Sequence, residues 1–460
     1  MPLADISPLA VPSLEAERTV LWDVVEEHLD EAQFGLEQLD ALRSHPRLTL
    51  ADVTKYPEAR LLAHLDALVI GGEAIVERVL APPVAEPDPE ALARTTAAAF
   101  VLAQLGRYDV LAPALGHALP AARSALARGL AHSGHARALP WARDRLEHAA
   151  SDAERSGALE VIAAMRAEPP PVLQWLQSDD AALVASATRA GLCADPQRHL
   201  PVMEYLLEHP ARDVRETALL AALCWGSSRS FAVCERMALD ESASSAPAMA
   251  LYAVLGGPAQ HARLAERLAQ PAARNAALFA LGYSGAPALL PALLEHLRSD
   301  DPLTSKLAAQ AIAMITGLDL NDEAFARPAA PDATAESEAK EELEALPALE
   351  DDDLGADLAP APEAALELPD AHAITRACEQ LVPQLDPKRR FLGGRPYGPD
   401  TVLDALERGP MRRRETLALA FAIGTAGQAW IDTRAFSAEQ RAQIAAARAL
   451  GVRSIGSGFG

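Results

Sequence analysis

The chain has 460 residues and is short of several things at once. Aromatic side chains make up 4% of it, lysine appears four times (Lys55, Lys306, Lys340, Lys388) against 37 arginines, and cysteine appears four times (Cys193, Cys224, Cys234, Cys378). No two cysteines form a C-x-x-C pair. Neither a zinc knuckle nor a disulfide framework is therefore expected, and the thiols read as small reduced groups buried on helices. Trp22, Trp141, Trp175, Trp225 and Trp430 are scattered, which suits packing anchors better than a stacking platform for bases. Long apolar runs are missing: stretches such as 97–103 and 417–423 fall far short of the roughly 20 residues a membrane helix needs. The opening 1–11 has no basic region leading into an apolar run, so no signal peptide is expected, and the protein is expected in the cytoplasm. Positive charge is short as well. The formal net charge is −23, a poor match for nucleic acid or an anionic membrane, so neither is expected as a partner. Catalytic signatures are also lacking: no P-loop, G-x-G-x-x-G, G-x-S-x-G or H-E-x-x-H occurs, and no cofactor or metal is expected.

What is present is alanine and leucine. They carry most of an apolar fraction of 50%, and both favour helix. A mean hydropathy of +0.03 with 23% charged residues excludes disorder of the whole chain. The charge is uneven. Between Pro328 and Asp370 stand 14 acidic residues and one basic, with many Ala and Pro and no aromatic. That composition cannot bury enough apolar area to offset chain entropy, so 328–370 reads as a disordered acidic linker. Residues 1–327 carry a net −15 and residues 371–460 a net +5.

The apolar pattern repeats. In 274–297, Ala277, Leu278 and Leu281, then Leu289, Leu290, Leu293, Leu294 and Leu297, fall at helical spacing, with Gly282, Gly285 and Pro287 between the two stripes. Comparable breaks fall at Gly106, Gly134, Arg166, Ala194, Gly226, Gly256, Gly285 and Gly317, at intervals of 28 to 32 residues. A helix, a tight turn and a second helix recurring with that period predict an all-α chain, an α-solenoid. About eight units fit within 90–327. Region 1–89 is helical without the period and reads as an N-terminal cap: a long amphipathic segment over 14–43, broken near Gly35, then a helix starting at Thr54 with Pro57 in its first turn. Region 371–460 reads as a small C-terminal helical domain.

Other features have two or more readings. Glu147-His148, Glu208-His209 and Glu295-His296 each end a second helix; they are metal ligands or, as base rates favour, solvent-facing residues at helix C-termini. His132 and His135 flank a turn and share no helix face. Arg412, Arg413 and Arg414, with Lys388, Arg389 and Arg390, form a basic exception to the acidic balance. They make a protein-binding patch for an acidic partner or phosphate, an internal tether for the acidic linker with 350–353 folding back, or solvated helix ends.

The repeat resembles the short HEAT repeat, in the variant of bilin-lyase-type proteins, at Arg274, Ala276, Ala277, Leu281, Gly282 and Pro287 and at Val214-Arg215 leading into Ala218, Leu219, Ala222 and Leu223. HEAT-like hydroxylases carry His-Glu pairs on successive repeats, the reverse of the order here. More specifically, Leu48-Thr49-Leu50, the run 58–68 with Arg60, His64, Leu65 and Asp66, then Gly71-Gly72-Glu73-Ala74, Arg390-Phe391-Leu392-Gly393-Gly394 and 409–418 resemble a bacterial family of HEAT-repeat proteins. Its motif has Gly where this chain has Ala67. Some members are encoded in type VI secretion gene clusters. The resemblance implies an accessory or effector-handling protein beside the secretion machinery; together with the repeats and the lack of catalytic signatures it points to a non-enzymatic scaffold or adaptor whose partner is a secreted effector, its adaptor or a spike protein. An enzyme on a HEAT-like scaffold, of lyase or metal-dependent hydroxylase type, and an architectural subunit of the secretion machine are the alternatives. His64 and Asp66 are two apart and cannot face each other on a helix, so a structural role suits the motif as well. A solenoid of this kind is expected to offer one long concave face to its partner.

Overall fold

The computed structural model describes residues 20–169, 171–192, 196–240, 246–327, 362–455 and 459. The N-terminal part holds α1 (Trp22–Leu42), α2 (Leu50–Val53), α3 (Ala59–Gly71) and α4 (Pro82–Ala85). Helix α1 runs unbroken through Gly35, whose missing side chain serves packing instead: a Cβ there would lie 3.1 Å from the Leu61 Cβ of α3. The next helix starts earlier than Thr54. Thr49 caps it and Asp52 answers in a reciprocal capping box, which outcompetes a lone threonine. Pro57 lies inside a π-helical turn, Thr54–Glu58.

Eight first helices then stand side by side. They are α5 (Leu92–Gln104), followed by its partner α6 (Tyr108–His117); α7 (Pro120–Ser133) with α8 (Ala138–Glu147); and α9 (Asp152–Ala164), followed only by turns. Next come α10 (Ala181–Gly191) with α11 (Pro196–Leu206), α12 (Arg212–Cys224) with α13 (Ser228–Leu239), and α14 (Ala246–Leu255) with α15 (Pro258–Glu266). The array ends with α16 (Pro271–Leu281), α17 (Leu290–His296) and α18 (Pro302–Thr316). The chain is thus an all-α solenoid of HEAT-like helical pairs.

Two local rules build it. Six of the eight first helices end in a left-handed residue: Gly106, Gly134, Gly226, Gly285 and Gly317 have φ between 59° and 82°, and Arg166 has φ 51°, whereas Gly256 after α14 is not left-handed. Ala194 lies outside the described residues. Second, the fourth residue of a first helix reaches back to a carbonyl at the end of the preceding helix. Arg123 donates to the Leu115 oxygen (3.3 Å), Arg155 to Ala149 (3.1 Å), Arg215 to His209 (2.7 Å) and Arg274 to Leu268 (2.9 Å), while Ser305 does the same to Leu297 (2.9 Å). These carbonyls are the ones a helix leaves unsatisfied at its C-terminus. Close stacking needs short side chains. A Cβ on Gly129 of α7 would lie 2.7 Å from the Ala99 Cβ of α5, which is the physical use of so much alanine and so few aromatics.

Residues 371–455 do not stand apart from the array. They comprise α19 (Ala371–Leu381), a hairpin of β1 (Phe391–Leu392) and β2 (Arg395–Pro396), α20 (Pro399–Arg408), α21 (Met411–Gly424) and α22 (Ser437–Ala449). The hairpin seats on the last turns of the array: Phe391 N donates to Gly285 O and Gly393 N to Met314 O, each at 2.7 Å. Helix α21 then packs across α12 and α14. Trp430 lies under Arg166, with the guanidinium carbon 3.9 Å from the ring centroid, and Phe436 meets His132 and Phe100. The C-terminal chain therefore runs back along the array from its last repeat to its first. Helix α21 also obeys the array's second rule, since Arg414, its fourth residue, donates to Leu406 O of α20 at 2.7 Å.

The N-terminal part crosses the same face. Asp40 of α1 pairs with Arg128 of α7, while Arg47, seven residues on, donates to Asn321 beyond α18 at 3.0 Å. Thr49 bridges to Pro410. Flanked in this way, α5 is buried around its whole circumference: nine consecutive residues, Thr95 to Ala103, are buried. The concave face expected to lie open is largely filled by the chain's own two ends. Among the described residues, no helix is long and apolar enough to cross a membrane.

Candidate binding groove

An opening in the filled face lies at the first repeats. It encloses about 610 Å³ between α1, α7, α9, α10 and the segment 432–439. Its polar walls are made of matched pairs. Arg128 clasps Asp40 with both terminal nitrogens, at 2.7 Å each, and its Nε donates to His132 Nε2 at 2.9 Å, one helical turn away. Burial alone would raise the Asp40 carboxyl. The Arg128 hydrogen bond and charge, with help from Arg43, outweigh it and hold the group below its ordinary value. His132 is enclosed between Arg128 and the Phe436 ring, 4.8 Å away by centroids. Burial, seconded by the Arg128 charge, pushes its imidazole down to about 4, so it is neutral and accepts at Nε2. On the next helices, the buried Glu160 carboxylate takes Arg189 through Nε, at 3.1 Å to each oxygen, and through Nη2, and it also accepts from Ser186 at 2.6 Å.

Arg166 forms a third part of the wall. It is the one array turn among the described residues where a left-handed position holds a side chain instead of glycine. That backbone costs about 1–3 kcal/mol, and the guanidinium it positions covers Trp430. Glu439 stands on the rim, its carboxyl raised by burial and then by the neighbouring Asp432 charge.

The residues singled out in the sequence lie elsewhere. Arg414 is fully buried, and burial lowers its guanidinium to about 10. Arg413 donates to Gln310 O at 3.0 Å. Arg412 pairs with Glu363 and lies over the Phe279 ring. Arg390 donates to Ser284 O and Tyr283 O at 2.7 and 3.0 Å and stacks on Tyr397. Lys388 and Arg389 are exposed. The six basic residues therefore form no common surface: the four that pack do so inside the molecule. The tether reading finds a counterpart in Arg412–Glu363, whereas 350–353 lies outside the described residues. In the 58–68 motif, Leu65 is core, Arg60 pairs with Glu31 at 2.6 Å, Asp66 is exposed, and His64 meets His28 at 2.9 Å through ring nitrogens.

The other histidines are dispersed. His148 bonds the Asp144 carbonyl of its own helix end (2.9 Å), His209 accepts from Ala211 N (3.1 Å), and His135 bonds the Tyr108 hydroxyl (2.8 Å). Among the described residues, no group of three or more His, Cys, Asp or Glu could hold a metal. Sequence reasoning missed the groove because its pairs are distant in the chain. Its one local signal was Arg166, a break without a glycine.

No family model matches this sequence, and no curated protein does. Among solved structures the chain is similar to YibA of Escherichia coli, at 13% identity over 63% of this chain and 96% of that one, with a TM-score of 0.27. It is also similar to human deoxyhypusine hydroxylase in complex with glycerol, at 18% identity over 61% and 97%, with a TM-score of 0.21. Likenesses this distant add nothing to what the helical array shows by itself.

Proposed function

We propose that the protein is a non-enzymatic scaffold that takes a segment of another protein into the groove at its first repeats. The observation that supports this reading is the pairing within the groove. Arg128 is committed to Asp40 and His132, and Glu160 to Arg189 and Ser186. A general acid or base has to exchange its proton with a reacting group, whereas these groups are locked to one another. Fixed, alternating charges beside two aromatic rings, Trp430 and Phe436, suit recognition of a polar peptide by complementarity. The finer reading, an accessory protein of type VI secretion handling an effector, its adaptor or a spike protein, rests on the resemblance of 58–68 and 390–394 to that bacterial family.

The test is a paired pull-down from the native host with the wild-type chain and with Arg434→Glu, an exposed change on the groove rim. A specific secreted protein captured by the first and lost by the second supports the reading. Equal capture by both, or background only, counts against it. Recovery of sheath or baseplate components instead would make the protein an architectural subunit.

A further inference from the structure

At the opposite end of the array the chain carries a second feature, independent of the groove. Residues 362–370, the end of the segment whose composition reads as disordered, cross α18 as a strap. The strap's first turn, Pro362–Ala365, buries Glu363 against the Arg412 guanidinium, and Arg412 in turn lies 4.5 Å above the Phe279 ring. Lys306 Nζ donates to the Glu363 carbonyl at 3.2 Å, and Arg47 reaches the Glu367 carboxylate at 3.5 Å. The far end adds main-chain pairing: Arg327 N donates to Leu368 O and Asp370 N to Phe325 O, each at 2.7 Å, around an Ala326–Pro369 bridge. Under the strap lies a cavity of about 330 Å³, with Arg47, Lys306 and Arg413 on its walls and 366–369 as its roof.

We propose that the seat under the strap is a binding site for an acidic, extended peptide, which the strap occupies in cis and which an acidic segment of a partner protein takes over. Three observations carry this. First, the seat is built without the strap. Arg412 is placed by its backbone bond to His45 O, Arg413 by Gln310 O, and Phe279 by α16. Second, the strap is lightly held, since only Glu363 and Pro369 of its nine residues are buried. Third, the seat selects its occupant. With the strap in place, the Arg412 side chain is 19% exposed and faces the Glu363 carboxylate. Another carboxylate is what can replace Glu363 there, because a buried charge is tolerated when paired. The exposed edge at Phe325–Arg327 offers an incoming chain the same main-chain bonds the strap uses, the mode by which extended peptides add to an edge. In a chain of net charge −23, a seat made of Arg47, Lys306 and Arg412 stands out as complementary to an acidic segment such as the strap.

The test uses the full chain and a fluorescent peptide with the strap's own sequence, PEAALELPD. Glu363→Arg sets like charges against each other and frees the seat, and Glu363→Ala, a gentler route to the same end, is measured beside it. Both variants are checked for folding by circular dichroism. The expected result is peptide binding to the folded variants at least tenfold tighter than to the wild type, weakening as salt rises. Binding is lost in the double variant Glu363→Arg, Arg412→Glu, which restores the pair in cis with reversed sign. Equal binding to wild type and variants, or none to a folded variant, overturns the proposal. A lysine-substituted peptide that binds as well as the acidic one does the same.

Discussion

Replacing Glu58 with alanine removes the carboxylate that ties one end of the chain to the other. Glu58 is 4% exposed and Ser437 is 1% exposed, 379 residues apart in sequence. The Glu58 oxygens accept from Ser437 N at 2.9 and 3.1 Å and from the Ser437 hydroxyl, so an acid from the N-terminal part caps the first turn of α22. An orphaned buried donor costs about 1–3 kcal/mol. The hydroxyl can turn to another acceptor while the amide cannot, which puts Glu58→Ala at about 1–3 kcal/mol. That cost falls on the docking of α22, so it appears as local opening before global unfolding. Hydrogen exchange at the α22 amides reads it directly, and protection is expected to fall roughly 5- to 150-fold at 1.4 kcal/mol per decade. Glu58→Gln keeps an accepting oxygen and forfeits the charge at the helix N-terminus, a loss of about 0.3–1 kcal/mol. In a double-mutant cycle, Ser437→Ala on top of Glu58→Ala should cost less than the sum of the two alone, by about 0.5–3 kcal/mol. Unchanged protection in Glu58→Ala, or strict additivity in the cycle, would refute the idea that this bond holds the two ends together.

Gly129→Ala forces a Cβ between α7 and α5 and should cost about 1–3 kcal/mol in urea unfolding, whereas Gly134→Ala, with open space around it, is strained only by its φ of 59°. His261 is 3% exposed and pushed down to about 4 by burial, against the opposing bond to Ala253 O. The unfolded chain therefore takes that proton first, and stability is lost as pH falls from about 6.5 to about 4, by up to roughly 3 kcal/mol, a slope that His261→Gln should flatten. Arg166→Gly relieves a strained backbone and loses a cation–π contact worth about 0.5–2 kcal/mol; overall stability should change little while Trp430 fluorescence shifts to the red. Cys234 and Cys378, raised by burial to about 12 and about 11, should resist thiol reagents until the protein unfolds, so labelling at neutral pH times unfolding.

The solenoid was legible because a helix that ends in a left-handed residue leaves a mark in the sequence. Gly106, Gly134, Gly226, Gly285 and Gly317 each mark a true end, and Arg166 does so without the glycine. Arg274 and Arg215 were legible as a pattern, though their task, capping the previous helix, needed coordinates. Arg414 shows how the same signal is masked. Set between Arg412, Arg413 and Glu415 it reads as part of a surface charge run, yet it is the fourth residue of a repeat-like helix and fully buried. Pairs such as Asp40 with Arg128 and Glu58 with Ser437 leave no periodic trace, because nothing local requires them. The strap is illegible for a related reason. Its composition suits disorder, and what orders it is Arg412 and Lys306, residues far away in the chain.

These long-range pairs share a physical logic. A repeat array has no built-in closure, since each unit touches only its neighbours and the end units need covers. Here one cover is the N-terminal part, and the C-terminal chain reaches both ends of the array: Phe391 on Gly285 at the last repeats and Phe436 on His132 and Phe100 at the first. Closure spends the inner face that open solenoids use for partners. What is left for recognition is where closure is incomplete: the paired-charge groove at the first repeats and the strap's seat at the last. At the groove, α9 carries a non-glycine left-handed turn. At the seat, a desolvated arginine depends on a carboxylate from a lightly held segment. Both places keep a cost that a purely structural design would remove by putting glycine at 166 or an apolar residue at 412. Such retained costs are the physical reason to look there for the partner.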